Sequence, residues 1–124
     1  EPDWYGVPGL VRSITPHRAL VVILTSIYAP GAARPLLAML PELTRRHLVV
    51  VASVTDPQLL AAASERRTSD EVYRAAAAER ALQDATRVAA AIRQLGGEVV
   101  MGAPLDLPPA LADHYLALKA AGRL

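Results

Sequence analysis

The run ALVVILT at 19–25 is aliphatic at every position but the last. A strand with one wet face alternates polar and apolar residues. An unbroken run instead suits a central strand covered on both faces, which is the condition of parallel sheets. The pattern returns at HLVVVASV (47–54) and, in shorter form, at EVVMGA (98–103). Helical patterns separate these runs. Residues 33–46 place Leu36, Leu37, Leu40 and Leu43 at helical spacing with Pro35 in the first turn, and Pro41 predicts a kink or restart. A short helix over 57–66 follows Asp56-Pro57. Thr68 and Glu71 form a capping box for a long helix over 69–95, closed by Gly96-Gly97, with Val72, Ala76, Glu79, Leu82, Val88, Ile92 and Leu95 on one stripe. A last helix, capped by Asp106, carries Leu107, Leu111, Tyr115 and Leu118 on its apolar face. Strand and helix thus alternate three times, the signature of a parallel α/β sheet.

That order raises a problem of cover. If the strands are laid down in one direction, right-handed crossovers put both connecting helices on the same face. Only the last helix and residues 1–18 remain for the other face. Pro2, Pro8, Gly9 and Pro16 predict that this N-terminal segment is irregular, with at most a turn of helix around Trp4 or Leu10. Three fully aliphatic strands are too few for two covered faces. The expectation is a scaffold completed by further strands and helices or by a second copy. The opening Glu1-Pro2, with no initiator Met, fits a chain cut from something longer.

Composition removes several function classes. At 124 residues, with 52% hydrophobic and 20% charged side chains, one folded domain is expected. There is no Phe, and Trp4 and four Tyr are a poor inventory for stacking on nucleobases. Net charge is +1, which gives no electrostatic case for nucleic acid or an anionic membrane. Twelve of the thirteen cations are Arg, scattered along the chain, with the pairs Arg45-Arg46 and Arg66-Arg67 near element ends. Cysteine is absent, which excludes disulfides, thiolate metal sites and Cys nucleophiles and fits a reducing, cytoplasmic compartment. The apolar runs are too short to span a bilayer, and no signal peptide is visible.

Three blocks carry a resemblance: RRHLVVVASVTDP (45–57), EVYRAAAAERAL (71–82) and LADHYLALKAAGRL (111–124). Together they resemble the C-terminal end of bacterial proteins in domain-of-unknown-function family fifty-eight, over roughly Arg18 to Leu124. The resemblance implies that 19–124 is the C-terminal half of a von Willebrand factor A-like domain, a doubly wound Rossmann-like α/β sheet, with 1–18 as a separate N-terminal segment. It further implies association with a MoxR-type AAA+ ATPase and a parent anchored at the inner face of the cell membrane. Metal-binding domains of this type hold the cation with an Asp-x-Ser-x-Ser loop, a Thr and an Asp after the strand equivalent to 19–25. Here Ser26 stands where that Asp is expected and the loop is missing, so a hard cation lacks its carboxylates. No metal and no cofactor are expected.

Ligands on open α/β sheets bind beyond the carboxyl ends of the strands. Thr25, Ser26 and Asp56 are therefore the candidate ligand positions, with Tyr28, Thr55 and Asp106 nearby. The bland account is that these residues satisfy loop amides and cap helices. His17, His47 and His114 lack zinc spacing and read as structural. A set of Ser26, Asp113 and His114 lacks a nucleophile elbow, and no phosphate-binding glycine loop is present. The function expected is therefore a non-enzymatic protein-interaction module, partnered by the ATPase, by its own N-terminal half-domain or by a second copy. The alternatives are an α/β small-molecule-binding domain or enzyme with its site at the strand edge, or a homodimerising half-domain.

Overall fold

The computed structural model describes residues 4–27, 33–55, 57–64 and 68–123. A 3-10 turn at Trp4–Gly6 leads into α1 (Val7–Ile14), followed by β1 (Leu20–Leu24), α2 (Ala33–Thr44), β2 (Leu48–Val54), α3 (Pro57–Ser64), α4 (Ser69–Gln94), β3 (Glu98–Gly102) and α5 (Leu107–Ala120). The strands form one parallel sheet in the order β1-β2-β3. The chain is therefore α/β, a three-stranded parallel sheet flanked by helices, compatible with a Rossmann-like fold. In register, Val22 lies beside Val50 and Val50 beside Glu98; one residue on, Ile23, Val51 and Val99 form the next row. Successive rows point to opposite faces.

The near face is built from Val21, Ile23, Val49, Val51 and Val99, which pack with Leu36, Met39, Leu40 and Leu43 of α2 and with Ala85, Ala89 and Ile92 of α4. Both crossover helices share this face, as one-way strand order requires. Pro41 lies inside α2, which runs on to Thr44. Pro41 is itself exposed, and its buried neighbours Leu40 and Leu43 hold the helix on the sheet across the missing amide. The Thr44 hydroxyl then donates to the Leu95 carbonyl at 3.1 Å, joining the ends of α2 and α4.

Two expected apolar faces are corrected. Along α4 the buried residues are Ala75, Ala78, Ala85, Ala89 and Ile92, while Val72 and Ala76 are exposed. Val88, Ile92 and Leu95 of the expected stripe do face the core, and alanines Ala75, Ala78, Ala85 and Ala89 complete the buried side in place of Val72 and Ala76. On α5, Leu107, Leu111, His114 and Leu118 face inward, and Tyr115 is exposed. Asp106 occupies the N-cap position of α5 but makes no side-chain cap bond. Pro108 and Pro109 follow in the first turn, where no amide needs a partner. The Thr68 cap is present: its hydroxyl accepts the Glu71 N–H at 3.1 Å.

Both α4 and α5 close on a glycine of positive φ, Gly96 (94°) and Gly122 (72°). Gly97 N–H returns to the Ile92 carbonyl and Arg123 N–H to the Leu118 carbonyl, each at 3.0 Å.

The N-terminal segment is helical from Trp4 to Ile14, not irregular. Pro8 falls in the first turn of α1, where proline's fixed φ is favourable. Trp4, Val7 and Val11 pack against the near-face core, so this segment adds to the face that already has two helices. Among the described residues the far face has α5 alone, lying against β2 and β3 but not β1. Leu48, Val50 and Ala52 are buried there, whereas Val22, Leu24 and Val54 are 42%, 70% and 44% exposed. Among the described residues, no helix is long and apolar enough to cross a membrane.

Candidate functional site

At the carboxyl ends of the strands, Thr25 is half-buried and its N–H continues the ladder to the Ala52 carbonyl at 3.1 Å. Ser26 is exposed. The loop amide of Ile27 is held by the fully buried Ser53, whose hydroxyl accepts it at 3.4 Å. Thr55 N–H donates to the Gly102 carbonyl at 2.8 Å. Asp56, Tyr28 and Pro30-Gly31 lie outside the described residues. The described part of this edge is thus a closed set of sheet and loop hydrogen bonds with the Ser26 and Asp106 side chains at its surface. Among the described residues, no three His, Asp or Glu side chains converge as metal ligands would.

The histidines occupy three different settings. His17 is exposed. His47 is 6% exposed and its Nδ1 accepts the Ala19 N–H at 3.0 Å, a rung at the foot of β1 supplied by a side chain. His114 Nε2 bonds Glu98 Oε2 at 2.5 Å, and Arg123 donates to Glu98 Oε1 at 3.1 Å. Burial raises the Glu98 pKa, but the hydrogen bonds and positive charge of His114 and Arg123 outweigh it and hold the carboxyl below its ordinary value. This trio pins α5 to the start of β3. It also carries His114 to the end of the sheet opposite Ser26, so Ser26, Asp113 and His114 are not brought together.

Two further surface features flank the sheet, one running up to the predicted edge and one at the opposite end. The first is the far side of β1, where Val22 and Leu24 meet solvent beside Val54. Among the described residues β1 pairs only with β2, so its other edge carries unpaired backbone groups. The second is a pair of adjoining clefts at the amino ends of the strands. One is lined by Pro8, Arg12, Glu42, Leu43, Arg45 and Arg46; the other by Arg12, Thr15, Pro16, His17, Arg18 and Arg46; His47 borders both. These arginines are dispersed in sequence and gathered by the fold. A signal for them existed: Arg18 precedes β1 and Arg45-Arg46 precede β2 by a few residues, and parallel pairing of Leu20 with Leu48 sets those approaches side by side.

No protein-family model, curated protein or solved structure matches this chain.

Proposed function

We propose that the chain is a non-enzymatic protein-interaction module whose contact surface is the far side of β1. The observation that carries this reading is the apolar patch of Val22, Leu24 and Val54 beside an open strand edge. Apolar area removed from water contributes about 25 cal/mol per Å², and an unpaired edge offers backbone hydrogen bonds to an added strand. A partner that continues the sheet past β1 and lays a helix over Val22 and Leu24 would satisfy both at once.

The resemblance to domain-of-unknown-function family fifty-eight supports a specific form of this. The chain is then the C-terminal half of a von Willebrand factor A-like domain, and the added strands come from its own N-terminal half or from a second copy. The assembled domain serves as an adaptor for a MoxR-type AAA+ ATPase on the cytoplasmic side of the membrane, without a metal or cofactor of its own.

A photo-crosslinking residue placed at Leu24 tests the surface. It is expected to capture a defined partner segment or second copy in high yield, while the same residue at Arg87, exposed on α4, captures little. Equal, diffuse labelling from both positions would remove the proposal. Capture of a MoxR-type AAA+ ATPase by the reconstituted protein tests the adaptor role separately.

A further inference from the structure

We infer that the cleft at the amino ends of β1 and β2 binds a small phosphate-bearing polyanion of the diphosphate type. It lies at a different end of the sheet from Thr25 and Ser26 and does not depend on the interaction surface proposed above.

The two adjoining clefts share Arg12, Arg46 and His47 in their linings, and the larger of them measures about 340 Å³. That is the scale of a small-molecule site. Together their linings hold four arginines, Arg12, Arg18, Arg45 and Arg46, against the single carboxylate of Glu42. Four positive charges less one leaves three, on a chain whose total is only +1. Arg12 is paired with Glu42 at 3.7 Å across the rim. Among the described residues, the guanidinium groups of Arg18, Arg45 and Arg46 have no hydrogen bond or ion pair. Like charges held together without internal partners repel one another, and an anion between them relieves that repulsion.

A second observation comes from His47. Its Nδ1 accepts the Ala19 N–H, so the neutral ring carries its proton on Nε2. That N–H has no protein partner, yet no buried side-chain nitrogen or oxygen lacks one among the described residues. Nε2 therefore keeps some accessible surface, and His47 lines both clefts, so the little of this ring that is uncovered offers a donor at the cleft's border.

The ligand class follows from this donor set. A carboxylate is saturated by one or two guanidinium forks, whereas a diphosphate presents many oxygens over a tetrahedral array and three or more charges. Planar forks from several directions plus one imidazole N–H match the latter.

Isothermal titration calorimetry with inorganic pyrophosphate tests the assignment. One saturable site is expected, weakened about tenfold or more by Arg46→Gln, since each charge-assisted bidentate contact is among the stronger hydrogen bonds. Glu42→Gln removes the opposing charge and is expected to tighten binding by roughly threefold. Arg80→Gln, on the exposed side of α4, should leave it unchanged. Absence of saturable binding, an equal loss in Arg80→Gln, or citrate binding as tightly as pyrophosphate would each overturn the inference.

Discussion

β1 reads Leu-Val-Val-Ile-Leu and β2 reads Leu-Val-Val-Val-Ala-Ser-Val, nearly the same letters in adjacent strands. Yet β2 is buried on both faces for six of its seven residues, and β1 is fully buried only at Ile23. The register row makes the contrast sharpest, because Val50 is 1% exposed and its neighbour Val22 is 42% exposed on the same face. Aliphatic content states what a strand would bury if covered. Position in the sheet, and where α5 lies, decides how much is buried. β1 thus carries the composition of an interior strand in the position of an edge strand.

The comparison breaks most visibly under charge. Val51→Asp places a carboxylate where nothing is exposed and nothing can pair it, a cost of several kcal/mol or more (about 4 and upward). Loss of a cooperative urea transition is expected for that variant. Leu24→Asp should instead stay within about 0.5 kcal/mol of the parent. An equally destructive Leu24→Asp would show that β1 is covered in solution.

Truncation probes one row with a smaller effect. Val50→Ala is expected to lower unfolding free energy by about 2 kcal/mol, and Val22→Ala by less than half of that. Equal losses in chemical denaturation would abolish the distinction between the strands.

The third member of that row, Glu98, gives a small effect that depends on pH. Its carboxyl is held below its ordinary value of 4.5, so its ionised form is favoured by folding. That contribution is fully present above 4.5 and is lost as pH falls through the lower folded value. Glu98→Gln should therefore cost about 1 kcal/mol or less at pH 7. The gap between parent and variant should close on acidification, and a gap that persists below that range would mean the bonds to His114 and Arg123 do not stabilise the fold.

Much of the architecture was legible because it rests on short-range chemistry. The aliphatic runs, the Thr68 cap and the Gly96 stop each act within a few residues. The misreadings arose where a local rule met tertiary packing. Pro8 and Gly9 suggested an irregular segment with at most a turn of helix, yet Pro8 fits a first helical turn. Pro41 suggested a kink or a restart, and α2 runs through it to Thr44 without restarting, with Leu40 and Leu43 buried on either side. Much of the inner stripe of α4 is alanine, which hydropathy weighs lightly, and only its C-terminal part, Val88, Ile92 and Leu95, was read correctly. Asp106 has a capping position without a capping bond. Of the candidate positions, Thr25 and Ser26 follow the end of β1 at the carboxyl edge, where Ser53 and the strand backbone make the hydrogen bonds that hold the loop. The basic cleft was hidden because Arg12, Arg18 and Arg45-Arg46 become neighbours only once β1 and β2 align.

The His47 rung has one more consequence. A backbone amide at the foot of β1 ends on an imidazole nitrogen instead of a carbonyl. The nitrogen-15 resonance of that ring atom therefore registers whether the first strand has docked on the second. A single isotope-labelled residue would act as a built-in gauge of strand assembly, readable without dye, denaturant or added probe.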